Sequence, residues 1–332
     1  MAIAIAEGVD EEVWGNQPPT DGVHVRDLAK TYPGDVEALR GVSFNVHPGE
    51  TFGLVGPNGA GKSTTIGILT TTVRATRGEA IVGGFDVSTQ PLRARAVSSV
   101  VFQEPVVDHS LSGRRNLEIH VRLWRVDRAV AGSRIDDLAE ALELGDVLDR
   151  PVETYSGGQR RRLEIARALV SAPKVLFLDE PTVGLDPRIR HELLGAIGTL
   201  RDRGDTTIVL TTHYLDEAER LCDRLAIVHQ GSIVAMDTPA ALLASMGTEV
   251  LDVRAPGLFQ SAAATLRVHG VAGADSFVVG STLTVPLHGW TSSAAIAAVR
   301  ELDLPGASIN TRPPTLDDVY LRLTGDRIVE AA

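Results

Sequence analysis

The chain has a single cysteine, Cys222, in 332 residues, so no disulfide can form within it. That usage fits a reducing compartment and leaves Cys222 a packing role in the apolar stretch Ala218–Ile227. Long apolar runs are missing too: none reaches the roughly 20 residues that a membrane-crossing helix needs. Met1–Ala6 is apolar but lacks a basic lead and runs into Glu7, Asp10, Glu11 and Glu12, which does not read as a secretory signal. Any membrane role is therefore expected to come through a partner. Basic residues are outnumbered, 32 against 43 acidic ones, and the net charge of −11 argues against nucleic acid as the main ligand. Lysine occurs only at positions 30, 62 and 174, the remaining basic residues being arginine, and Lys62 stands out for that reason.

What is present is an ordinary globular composition, 43% hydrophobic, with a segmental rhythm. Residues 1–20, ending in Asn16-Gln17-Pro18-Pro19-Thr20, read as a flexible tail. Residues 21–247 alternate β-branched runs with amphipathic helical patterns, the mark of an α/β domain. Thr51–Val55, Val175–Leu178 and Thr207–Thr211 are nearly all apolar or β-branched and predict strands buried on both faces. Between Pro91 and Arg150 the strand signal fades, and Asn116–Val126 and Ile135–Leu144 predict helices. A helical subdomain over about 91–165 is the expectation. Residues 248–332 form a different pattern: strand 250–254, helix 258–268, hairpin 276–279 and 282–287, helix 292–302, strand 308–312 and helix 316–323. That order predicts a small α+β, ferredoxin-like domain.

Two constellations carry chemistry. Gly56-Pro57-Asn58-Gly59-Ala60-Gly61-Lys62-Ser63-Thr64 follows the strand Thr51–Val55 and precedes a helical pattern over Thr64–Leu69. Glycines in such a loop let several backbone N–H groups point at one anion, and the helix N-terminus adds its positive dipole end. Lys62 can then reach the β- and γ-phosphates of a nucleotide, and the Ser63 hydroxyl can ligate Mg²⁺. The strand 175–178 runs into Asp179 and Glu180. Successive strand residues face opposite ways, so the two carboxylates can take two tasks: Asp179 holding Mg²⁺ and Glu180 activating water. A second glycine-rich helix start, Tyr155-Ser156-Gly157-Gly158-Gln159 before an amphipathic helix over Arg160–Val170, is another anion site with Ser156 placed as its cap. One phosphate loop and one separate phosphate-capping helix start suggest two chains sharing each nucleotide.

Together these motifs resemble the ABC ATPase family, a P-loop NTPase fold. Ser156–Gln159 is similar to its signature motif, and Gly184-Leu185-Asp186-Pro187 to its D-loop. His213 stands where the family has its switch histidine, Gln103 where it has the Q-loop glutamine, and Tyr32 where an aromatic stacks on adenine. Tyr155 departs from the usual leucine, at a packing position. Leu111-Ser112-Gly113-Arg114-Arg115 imitates the signature without its second glycine and reads as the lead into the helical subdomain.

The resemblance implies a head-to-tail homodimer with two ATP molecules between the protomers. Each ATP would lie on one chain's Tyr32 and residues 56–64, under Ser156, Gly157, Gly158, Gln159 and Asp186 of the other. It further implies Mg²⁺ held by Ser63, Gln103 and Asp179, and catalysis by Glu180, His213 and Gln103. The tail Thr315-Leu316-Asp317-Asp318-Val319-Tyr320-Leu321 with Leu323-Thr324-Gly325 resembles that of drug-exporter ATPases of the daunorubicin-resistance type. An exporter ATPase on the cytoplasmic face of the plasma membrane, driving a separate permease and binding no nucleic acid, is the expectation. An importer ATPase with a regulatory C-terminal domain and a non-transport ABC ATPase are the alternatives. The long coiled-coil insertions of repair relatives and the doubled ATPase domains of translation relatives are both missing.

Overall fold

The computed structural model describes residues 22–103, 106–254, 265–301 and 308–325. The expected tail 1–20 and most of the expected helix 258–268 lie outside them; residues 265–268 are helical. Contacts divide the chain into two compact units, the first ending at Ile233 and the second beginning at Val234.

The first unit is built on five parallel strands. These are β3 (Thr51–Val55), β6 (Ser98–Val101), β7 (Val175–Asp179), β8 (Thr207–Thr212) and β9 (Arg224–His229), in the order β9-β3-β8-β7-β6. Every residue of β3, β7 and β8 is buried, as their near-continuous apolar and β-branched sequences predict. Helices α1 (Lys62–Leu69), α2 (Pro91–Val97), α6 (Pro187–Arg203) and α7 (Leu215–Leu221) connect them. Cys222 follows α7 and is buried, with burial pushing its thiol well above the ordinary range.

A separate antiparallel sheet has the order β2-β1-β4-β5, from β1 (Val23–Tyr32), β2 (Val36–Val46), β4 (Arg77–Val82) and β5 (Phe85–Asp86). The fading of strand signal from Pro91 onward is interrupted by β6. This strand is only four residues long, starts with two serines and takes the edge of the parallel sheet, so its pattern is too short to read. The helices α3 (Gly113–Leu123), α4 (Arg128–Ala141) and α5 (Gly157–Leu169) then follow with no strand between them among the described residues. Ser112 caps α3 by accepting from the Arg115 N–H, so Leu111–Arg115 is a helix start.

In the second unit, which follows a boundary falling within β10 (Ser232–Asp237), α8 (Pro239–Ala244) precedes a four-stranded antiparallel sheet. Its order is β12-β13-β11-β14, from β11 (Val250–Arg254), β12 (Phe277–Val279), β13 (Thr282–Pro286) and β14 (Ser308–Arg312). Leu251, Val253, Leu266, Leu283, Val285 and Val299 form its core, the last from α9 (Ser292–Glu301). The chain's last described helix is α10 (Leu316–Thr324). Thr315 and Asp318 form its capping box, and Arg312 binds Asp318 through both Nη atoms, at 2.6 and 2.8 Å. No described helix is long and apolar enough to cross a membrane.

Candidate active site

Strand β3, held between β8 and β9, delivers the phosphate loop to the carboxyl edge of the parallel sheet. Gly61 sits at φ +109°, a backbone conformation that disfavours a side chain, and a Cβ there would come within 2.6 Å of the Ala38 carbonyl oxygen. The next residue, Lys62, heads α1, and its side chain is 4% exposed. Its Nζ donates to the carbonyls of Gly56 and Pro57, at 2.7 and 3.1 Å, and lies 3.1 Å from Glu180 Oε1. An ammonium this deeply buried is tolerable because a carboxylate and two carbonyls surround it.

Asp179 ends β7, directly across from Thr211 of β8 in parallel register. Its Oδ1 accepts from Thr211 Oγ1 at 2.6 Å and from Ser63 Oγ at 3.2 Å. Glu180 does not continue the strand. Its φ is +45°, the left-handed region that costs a non-glycine residue about 1–3 kcal/mol. That turn breaks the alternation expected of neighbouring strand residues, so both carboxylates meet the phosphate loop, Asp179 at Ser63 and Glu180 at Lys62. Thr211 Oγ1 accepts from the Glu180 N–H at 2.9 Å and so ties both acidic residues to β8. On the far side of Glu180, His213 Nδ1 lies 3.5 Å from Oε2 and makes no hydrogen bond of its own.

Lys62, Ser63, Asp179, Glu180 and His213 thus come together. The other expected residues sit outside this bonded cluster. Ser156 caps α5 in a full capping box: its Oγ accepts from the Gln159 N–H at 3.2 Å, and Gln159 Oε1 accepts from the Ser156 N–H at 2.9 Å. A Cβ on Gly158 would meet Ile189 of α6 at 2.3 Å, so glycine there allows the close approach of the two helices. Asp186 caps α6, accepting from the Ile189 N–H. Gln103 is exposed just beyond β6, and Tyr32 is half-exposed at the end of β1, its ring 4.8 Å from Lys30 Nζ. Asn58 and Gly59 are exposed at the tip of the phosphate loop, and Ala60 is buried beneath it.

Residues 39–183 match the family model described as ABC transporter. Over 327 residues the chain is 39% identical to the daunorubicin/doxorubicin resistance ATP-binding protein DrrA of Streptomyces peucetius, covering 96% of this chain and 98% of that protein. The chain belongs to the ABC transporter ATP-binding proteins. It is also 37% identical over 309 residues to the Nod factor export ATP-binding protein I of Burkholderia lata, covering 92% of this chain and 98% of that one. Among solved structures, the ATP-binding subunit of an ABC transporter matches with a TM-score of 0.60 at 30% identity, covering 68% of this chain and 93% of the other. As an ABC ATPase subunit, the chain hydrolyses ATP.

The structure places further residues against those the ABC motifs point to. Thr211 is one, placed against Asp179 by register alone. Arg161 of α5 is another: its guanidinium donates to the carbonyls of Phe102, Pro181 and Asp179. The only sequence signal for Arg161 is an arginine on a helix face that also carries buried apolar residues. Tyr155 is buried and donates to the Val147 carbonyl at 2.6 Å, with burial raising its hydroxyl above the ordinary tyrosine range.

Proposed function

We propose that the chain powers export of a drug-like or lipid-like substrate through a separate membrane permease, at the cytoplasmic face of the plasma membrane. One observation carries this reading: the likeness to the daunorubicin/doxorubicin resistance protein runs over 96% of the chain, whereas the family model stops at residue 183. The second unit is therefore shared with a protein named for drug resistance, and its antiparallel sheet in the order β12-β13-β11-β14, read as ferredoxin-like, differs from a barrel-shaped regulatory domain. Helices α3 to α5 are read as the helical subdomain, and 21–247 and 248–332 as the two functional divisions of the chain.

In this reading ATP lies on residues 56–64 with its adenine on Tyr32. Lys62 leaves Glu180 for the phosphates, and that exchange frees the Glu180 carboxylate. Water attacks the γ-phosphorus and the bond to the β–γ bridging oxygen breaks. ADP takes the electron pair, and Glu180 takes the water's proton. His213, which holds no hydrogen bond at Nδ1, is available to the γ-phosphate. Ser63 Oγ and Asp179 Oδ1, 3.2 Å apart, are hard oxygen donors of the kind Mg²⁺ takes alongside phosphates and water, so the residues fit that ion. Ser63, Asp179 and Gln103 would hold it, and it would neutralise charge on the phosphate oxygens. Ser156, Gly157, Gly158, Gln159 and Asp186 would close over the nucleotide of a second copy in a head-to-tail homodimer, with ATP favouring the closed state.

The test is transport in membrane vesicles carrying the chain with the six-span permease expected in the neighbouring reading frame. Mg²⁺- and ATP-dependent uptake of daunorubicin or a fluorescent lipid into inside-out vesicles is the expected result. Uptake into right-side-out vesicles alone would favour an importer.

A further inference from the structure

Arg161 and Glu164 stand three residues apart on α5, 7% and 1% exposed. Charged side chains are rarely buried so deeply unless fully paired. They bind each other, Arg161 Nη1 to Glu164 Oε2 at 2.8 Å, but the remaining bonds lead elsewhere. Arg161 Nη1 also donates to the Phe102 carbonyl, Nε to the Pro181 carbonyl at 2.9 Å, and Nη2 to the Asp179 and Glu180 carbonyls at 3.3 and 3.5 Å. Glu164 Oε1 accepts from the Val106 N–H at 2.7 Å. Phe102 and Val106 flank Gln103. One ion pair therefore grips the backbone on both sides of that glutamine and, with the same guanidinium, the left-handed turn that carries Asp179 and Glu180. It does so from the helix that Ser156 caps.

We infer that Arg161 and Glu164 are positioning residues. They set Gln103 relative to the Asp179–Glu180 end of β7 and act on hydrolysis through that glutamine. The inference rests on the proposed role of Gln103 at Mg²⁺ and the attacking water. A guanidinium suits the task because its five N–H donors lie in one rigid plane and serve several carbonyls at once, whereas an ammonium is a compact charge with rotating donors. Gln103 itself is exposed and takes no part in the grip, which leaves its amide available to the site.

The test is a cycle on the full chain with Arg161→Lys, Gln103→Ala and the double variant, with Glu164→Gln as the gentler partner. Phosphate release gives turnover, a fluorescent ATP analogue without Mg²⁺ gives affinity, and hydrogen exchange reads the amide of Val106. Arg161→Lys is expected to lower turnover about 10–100-fold, the usual cost of losing an outer partner that orients a metal ligand. Analogue affinity should hold and exchange at Val106 should quicken. Glu164→Gln keeps an acceptor for that amide and should lose less; it carries the same cycle should Arg161→Lys not fold. In the Gln103→Ala background, Arg161→Lys should cost nothing further. Losses that multiply would mean Arg161 acts apart from Gln103 and would overturn the inference, as would unchanged turnover in Arg161→Lys beside a crippled Gln103→Ala. Full turnover in Gln103→Ala would instead remove the role of Gln103 itself, and the pair's role with it.

Discussion

Glutamine at position 180 keeps the shape of the side chain and removes its charge, and two separate effects follow. Among the described residues, Glu180 is the only carboxylate paired with the Lys62 ammonium, at 3.1 Å, with the two side chains 4% and 8% exposed. The amide oxygen of Glu180→Gln can still accept from Nζ, as the Gly56 and Pro57 carbonyls do. The loss is therefore that of one charge-assisted bond, about 2 kcal/mol. For a unit of this size that lowers the melting temperature by about 4–8 °C. Triphosphate supplies the missing negative charge, so the upward shift on adding ATP should be larger in the variant than in the unsubstituted protein. Turnover should fall by about 10²–10⁴, the usual worth of a general base. The melts with and without ATP, set beside phosphate release, separate the two effects. Wild-type turnover in Glu180→Gln would refute the base role. Slow turnover with an unchanged nucleotide-free melt would leave the base role and refute the Lys62 pairing as a contributor to stability.

Three further outcomes are expected. Ser156→Arg should abolish hydrolysis while ATP still binds the single chain, because Ser156 lies outside the Lys62–Asp179–Glu180 cluster; a fluorescent nucleotide titration beside a turnover assay checks it. Burial, with Arg167 adding to it, lowers the His120 imidazole from 6.5 to about 4. The unfolded chain then binds that proton first, so this contribution to stability is whole above pH 6.5 and is lost as pH falls toward 4; His120→Gln should flatten that part of a melting-temperature profile against pH. Asp318→Asn should loosen the second unit by about 1–3 kcal/mol, measured by denaturant titration, because the carboxylate holds Arg312 and the Thr315 N–H and hydroxyl. Burial pushes that carboxyl up, but those bonds outweigh it and leave it below the ordinary range, so its contribution stands above pH 3.8 and fades below it.

How much of this was legible in the sequence depends on the range of the interaction that fixes each residue. The phosphate loop could be read directly, since glycine spacing, the strand before it and the helix after it are local. The same holds for β3, β7 and β8, whose burial on both faces is written in their composition. Thr211 could not be read, because its place opposite Asp179 comes from parallel register between strands 32 residues apart. Arg161 and Glu164 sit on an amphipathic helix whose polar residues read as solvent-facing, and only packing turns that face inward. Strand alternation predicts that Asp179 and Glu180 face opposite ways and can take two tasks. It misjudges their directions, because the sheet ends at Asp179 and a left-handed turn sends Glu180 back toward Lys62.

That turn gives the buried Lys62 ammonium an internal partner in Glu180. Lys62 rests on Glu180, Ser63 on Asp179, and Ser156 and Gln159 on each other, so these groups of the proposed nucleotide site have internal partners, whereas His213 Nδ1 has no hydrogen bond. In the proposed site, ATP binding is an exchange of partners at Lys62 and Ser63, and its net strength is a difference between two sets of contacts. The exchange has a chemical consequence for the order of events. In the proposed mechanism Lys62 starts 3.1 Å from the base, and a phosphate that draws Lys62 off leaves the Glu180 carboxylate to the attacking water.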